Sequence, residues 1–399
     1  MRAAAEIHNI RSAITGPAMT PLPTRRYDLD WLRIIAFGLL IFYHIGMFYV
    51  SWDFHVKSIH AGPFLEPVMK LVNPWRMTVL FIISGIALRY AIEAAPIKRF
   101  LWTRFWRLFL PLVFGIHVIV APQSWLELLQ TGEVTSGFWP FYMRYLAGTQ
   151  TYSIIVPTWN HLWYLAYLIV YSFILAGIYL FLPRRNSADK SPRNNQSFWL
   201  ITAVAIIPIV IFASHENWLE DVFPSTHALI DDWGNHALYF PFILLAFLTA
   251  KSERVWEVID KLFWPACLAA SALAVWQLFV WTLSADDVAA LPHVEVWALL
   301  HSLAEPIYAW ACILAALGLC GRFANRPSRA LTYMTEAIFS WYILHQTIII
   351  MAGVWLTQQA IPAPAEFALV TAATLLGCGV IHEFIIRRSR LLSLFNDAA

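Results

Sequence analysis

Two side chains in one apolar stretch carry the strongest chemical signal in the chain. Arg33 and His44 are eleven positions apart. That is close to three whole turns of an α-helix, so both point to one face, about 16 Å apart along the axis. An ionisable group at the centre of a bilayer costs about 2.5–3.5 kcal/mol on insertion scales, and so tends to come with a role or a partner. A cation near one mouth of a span and a titratable imidazole beyond its midplane suit an elongated anionic ligand lying along the helix. The plain alternative has Arg33 snorkelling to headgroups and His44 as a hydrogen-bonded packing residue.

Further polar groups interrupt the apolar runs. Arg76 lies toward the outer side of the second span and Arg89 toward the inner side. Between them Ser84-Gly85 allows another backbone to approach closely. Arg104 and Arg107 follow Lys98-Arg99, are three apart and share a helical face. Such a cluster can hold phosphates, although basic residues are expected at an inner membrane face in any case. The run Trp159-Asn160-His161-Leu162-Trp163-Tyr164 opens another span at the outer face. An interfacial belt of aromatic residues is the competing reading for it. Glu305 with His301, Tyr342 with His345, and His382-Glu383 complete the set. For Glu383 an i,i+4 pair with Arg387 suffices. His215, His227, His236 and His293 are too scattered to argue for a metal site.

The elements that must position these groups are transmembrane helices. Hydrophobic residues make up 59% of the 399 and charged residues 13%, about half the charged share of an average soluble domain. Mean hydropathy is +0.60. This excludes a disordered chain, a coiled coil and an ordinary soluble globule, and continuous apolar runs argue against an outer-membrane barrel. A net charge of +2 gives no case for nucleic acid as a partner. With about 20 apolar residues per crossing, the spans fall near 31–50, 68–92, 108–126, 158–182, 198–214, 236–250, 262–283, 297–319, 332–356 and 365–386. The fold expected is an all-α, polytopic bundle of about ten spans. Pro111 and Pro122 interrupt the third span, and 236–250 is short.

Most of the 27 Lys and Arg residues gather on one side when the N-terminus is placed in the cytoplasm. Acidic residues such as Glu220, Asp231, Asp286 and Glu295 fall in the opposite loops. Both termini are therefore expected inside. Residues 1–26 read as a mobile cytoplasmic tail, 27–390 as one membrane domain and 391–399 as a C-terminal cytoplasmic tail. No apolar stretch precedes the first span, so no cleavable signal peptide is expected, and that helix doubles as a targeting segment. Pro183 to Gln196 reads as a basic inner loop. The outer loop 127–157, with its aromatic piece at 138–142, reads as an interfacial segment or the cap of a cavity. The four cysteines all lie in apolar runs and read as small buried hydrophobes.

The order of these motifs resembles the acyltransferase family 3 integral membrane enzymes over about residues 27–390. The matching features are Tyr27 to Leu32 leading into Arg33 and His44, the segment Phe81-Ile82-Ile83-Ser84-Gly85, and Arg104 and Arg107 followed by Pro111. His161-Leu162-Trp163 matches a further family motif. Trp75-Arg76-Met77 and Tyr342-Ile343-Leu344-His345 are most similar to the branch implicated in succinylating osmoregulated periplasmic glucans. One departure is Gln346-Thr347 after His345, where a His-x-Pro-like run is expected.

The resemblance implies an enzyme of the bacterial inner (plasma) membrane. It would move an acetyl or succinyl group from cytoplasmic acyl-CoA to a hydroxyl of a periplasmic glucan or other cell-surface carbohydrate. Acyl-CoA would be a donor substrate, with no permanently bound cofactor and no metal. Arg33, Arg104 and Arg107, with Arg89 and Ser84, would form the acyl-CoA side. His44, Arg33 and His161 would be catalytic. Arg76, Trp163 and His345 would face the acceptor. His44 as general base and transient acylation of a histidine both fit. The expectation needs a passage joining Arg33 to His44. A secondary transporter, which also uses intramembrane charges, is the rival reading from another class. The bilayer is the one partner composition itself requires, and oligomeric state is not legible.

Overall fold

The computed structural model describes residues 25–135, 137–148, 150–183 and 196–389. The expected tails, apart from Arg25 and Arg26, lie outside the described residues, as does most of the basic loop after Pro183. Among the described residues every regular element is a helix. The longer ones are α1 (Tyr27–Met47), α2 (Glu66–Glu93), α3 (Ile97–Phe114), α4 (Ala121–Gln130), α5 (Phe138–Ala147), α6 (Trp163–Phe181), α7 (Gln196–Ser214), α8 (Trp233–Thr249), α9 (Glu253–Trp281), α10 (Val294–Phe323), α11 (Arg329–Thr357) and α12 (Ala363–Ile381).

Among the described residues, nine helical stretches are long and apolar enough to cross a membrane. A tenth, α8, has 17 residues, the lower edge of what a crossing needs. The chain is a multi-pass membrane protein. In the apolar window of α11, 72% of residues are buried, against 11% for the stretch containing α7 and 11% for α9. α11 is therefore the core of the bundle, while α7 and α9 turn most of their apolar surface outward, as membrane-facing helices do.

Two local sequence features shape the bundle around α2 and α3. A Cβ at Gly85 would collide with the Ile243 carbonyl oxygen of α8, so the small residue expected to admit a second backbone does so. The third span is not broken by its prolines. α3 and α4 join into one helical stretch, Ile97–Gln130, through a π-turn at Gly115–Ile119. Val120 N–H donates to the Gly115 carbonyl at 2.8 Å. Pro122 has no N–H to offer the Val118 carbonyl, and the wider turn falls at the place where that helical bond is missing. Beyond α4, α5 packs its Phe141 and Tyr145 into a small cluster with Ala121, Leu128 and Val134.

Candidate active site

Three histidines from three elements meet at one end of the bundle. His44 is in the last turn of α1, His345 in the middle of α11, and His161 in the short turn Asn160–Leu162 that opens α6. The His44 and His345 rings stack with centroids 5.0 Å apart, and His161 stands edge-on to His345 at 5.1 Å. His44 and His161 line a cavity of about 1030 Å³.

Hydrogen-bond direction fixes the protons. His345 Nδ1 lies 2.7 Å from the Tyr342 carbonyl and 3.2 Å from that of Trp341. A carbonyl only accepts, so His345 carries its proton on Nδ1, and in the neutral ring Nε2 is an acceptor. His44 Nδ1 is 2.7 Å from that Nε2 and must donate to it. Neutral His44 therefore keeps its lone pair on Nε2. The same reasoning applies to His161, whose Nε2 donates to the Ile343 carbonyl at 3.1 Å. Its buried Nδ1 has no hydrogen-bond partner among the described residues.

A buried amide network holds this arrangement. Gln123 of α4 donates to Thr347 at 2.6 Å, and Thr347 donates to the Ile119 carbonyl at 2.7 Å. Asn160 and Gln346 each donate to Gln123 Oε1 at 3.0 Å. Tyr342 donates to the His161 carbonyl at 2.6 Å. α4, α11 and the His161 turn are thus locked together through the Gln346-Thr347 pair that departs from the expected run.

The rest of the cavity wall is aromatic and charged. Arg76 lies over the Tyr43 ring at 3.5 Å and donates to Asn73. The Trp163 ring lies against that of His227, tilted by 53° with centroids 4.6 Å apart, and Trp159, Tyr239 and Phe54 add further ring faces. His227 belongs to the segment between α7 and α8. That segment is folded by Asp232, which is wholly buried and accepts from Tyr167 and from the N–H groups of Thr226 at 2.9 Å and His227 at 3.1 Å. Burial opposes ionisation of Asp232, but these hydrogen bonds outweigh it and hold its pKa below the ordinary value.

The arginines expected to bind the donor divide between two smaller cavities at the other end of α1. Arg33 lines one of about 270 Å³ and Arg104 and Arg107 line another of about 420 Å³; Ala87 borders both. Arg33 is not a bare cation, for Asp30 lies 3.6 Å away. Its buried Nε has no hydrogen-bond partner among the described residues. Arg89 lines neither cavity; Glu93 pairs with it at 3.0 Å and the Tyr179 ring lies 5.0 Å off. Ser84 is hydrogen-bonded to Tyr164 at 2.6 Å.

Arg33 and His44 share a helix face, as their spacing requires, but the cavity at one shares no lining residue with the cavity at the other. Phe37, Tyr164 and Tyr342 fill the space between. Phe37 is 6.2 Å from Tyr164 and 5.2 Å from Tyr342, and all three rings are buried. The expected passage is closed in this structure. His345, expected on the acceptor side, is fully buried behind His44 rather than on the cavity wall. Arg76, Trp163, His161 and His44 are on that wall together. Sequence reasoning missed the pair His55 and Glu127, which face the same cavity, and Gln123, which holds Asn160 and Gln346 of its wall. Gln123 and Glu127 had one available signal, a polar side chain inside an apolar run.

A family model described as an acyltransferase domain matches residues 26–383. Glucans biosynthesis protein C of Escherichia coli strain K12 is 24% identical over 354 residues, covering 86% of this chain and 86% of its own length. The protein of that name from Salmonella gallinarum is 24% identical over 349 residues, covering 85% and 86%. No solved structure matches the chain.

Proposed function

The chain belongs to this acyltransferase family, and from that membership we propose that it moves an acetyl or succinyl group from cytoplasmic acyl-CoA to a hydroxyl of a glucan on the far side of the bacterial inner membrane. The observation that carries the reading is the His44 imidazole. Its lone pair is fixed by His345, it stands at the wall of a cavity large enough for sugar rings, and it lies on the same helix face as Arg33.

In this reading Arg33, Arg104 and Arg107 hold the phosphates of the coenzyme at the inner face. The pantetheine arm runs along α1, and the thioester reaches His44 once the rings of Phe37, Tyr164 and Tyr342 swing aside. His44 Nε2 then either removes the acceptor proton or takes the acyl group itself. The faces of Trp159, Trp163 and Tyr239 suit the apolar faces of sugar rings, with few fixed polar groups to set orientation. The glucan acceptor is supported by the names of the relatives. Arg76 is placed to balance the second carboxylate of a succinyl group.

The test is acyl transfer by purified protein in detergent, with acetyl-CoA or succinyl-CoA and linear glucan oligosaccharides. Thiol release coupled to ester formation supports the enzyme, and a transporter would give neither. His44→Ala is expected to lower turnover by about 100-fold or more, and Arg33→Ala to raise KM for acyl-CoA. Full turnover in His44→Ala sinks the assignment.

A further inference from the structure

The wall of the large cavity carries another imidazole that the scheme above leaves unused. His55 is on the segment after α1, and its Nδ1 lies 2.6 Å from Oε2 of Glu127 on α4. Both line the cavity. The segment is pinned. Lys57 donates to the Met47 and Val50 carbonyls at 2.8 Å each. The Ser58 hydroxyl donates to the buried Glu366 at 2.6 Å. Phe54 spaces the two imidazoles. Its ring is nearly parallel to His44 at 6.4 Å and 5.2 Å from that of His55. His55 is thus held one ring away from His44 by fixed contacts.

An ionised carboxylate only accepts, so Glu127 fixes the His55 proton on Nδ1 and leaves Nε2 as a lone pair. It also stabilises the imidazolium formed when Nε2 takes up a proton. The two imidazoles differ in their backing. His44 leans on a neutral ring, and His55 on an anion. The carboxylate-backed ring has an anion beside it to hold a proton that it takes up, and the other is free to act as a nucleophile.

The geometry points to His55 with Glu127 as the base that takes the proton from the acceptor hydroxyl, while His44 carries the acyl group. This rests on the acyltransferase reading and divides its labour. His44 Nε2 attacks the thioester carbonyl; the C–N bond forms, the C–S bond breaks and the coenzyme leaves as thiolate. The Nδ1 proton of His44 passes to His345 Nε2. The acceptor oxygen then attacks the acyl carbonyl, its C–O bond forming as C–N breaks. The hydroxyl proton goes to His55 Nε2, and His44 recovers its own from His345. His55 gives its proton to water, and the thiolate takes one up.

The experiment compares two acceptors with acetyl-CoA as donor and purified full-length protein. Hydroxylamine attacks an acyl group without a base, whereas an oligosaccharide hydroxyl needs one. His55→Ala and Glu127→Gln are expected to lower ester formation on a linear glucan oligosaccharide by about 100-fold or more. Hydroxamate formation stays close to wild type, which also shows that the variants fold. Added imidazole restores ester formation in His55→Ala. Equal loss with both acceptors, or unchanged ester formation, overturns the role of the pair. A wild-type protein that forms neither product overturns the acyltransferase reading with it.

Discussion

Each imidazole at the cavity owes its reactive nitrogen to a neighbour. His345 turns two backbone carbonyls of its own helix into a fixed proton position, and passes that order to His44. Without it the His44 ring can rotate or adopt the other tautomer. We expect His345→Ala to lower kcat by about 100-fold while KM for acyl-CoA stays near wild type. His345→Gln, which keeps an acceptor oxygen, should recover part of the loss. Steady-state kinetics decide it, and an unchanged kcat in His345→Ala removes the orienting role. The eleven-residue step from Arg33 to His44 was legible in the sequence because helical periodicity alone puts them on one face. The role of His345 was not, since it depends on hydrogen-bond direction across 301 positions of chain. For the same reason His55 escaped notice. Nothing local announces a carboxylate 72 positions away.

At the scale of elements, the legible features were those that depend on backbone geometry. Ser84-Gly85 reads as a close approach, and α8 comes in there. The prolines of the third span read as a break, yet a single π-turn carries the helix through. The segment between α7 and α8 had no periodic signal, although it supplies His227 to the cavity wall. Burial pushes the His227 imidazole below its ordinary value of 6.5, against the pull of the Asp232 carboxylate. The unfolded chain therefore binds this proton at a higher pH than the folded one. The contribution to stability is complete above pH 6.5 and is lost as pH falls below it, toward the depressed value in the folded protein. Thermal unfolding in detergent should show a midpoint that drops over this range in wild type and drops less in His227→Gln. Identical slopes would exclude His227 as the source.

Across the whole molecule, charge is sorted by end. The cluster of Arg25, Arg26, Arg33, Arg104 and Arg107 borders the two small cavities, and the large cavity opens at the opposite end. On the positive-inside rule we expect the arginine end to face the cytoplasm. In a background lacking the four native cysteines, Ile155→Cys should react with a membrane-impermeant maleimide in intact spheroplasts. Lys98→Cys should react only after permeabilisation, and the reverse pattern would invert the proposed route of the acyl group. The three rings packed midway along α1 have a further consequence for the cell. A duct wide enough for a pantetheine arm would also admit protons and small ions, each driven by about 2.3 kcal/mol per 100 mV of membrane potential. Closed on Phe37, Tyr164 and Tyr342, the protein insulates. On the proposed route, a chain threading between the rings would itself fill the gap it opens, so group transfer need not discharge the membrane.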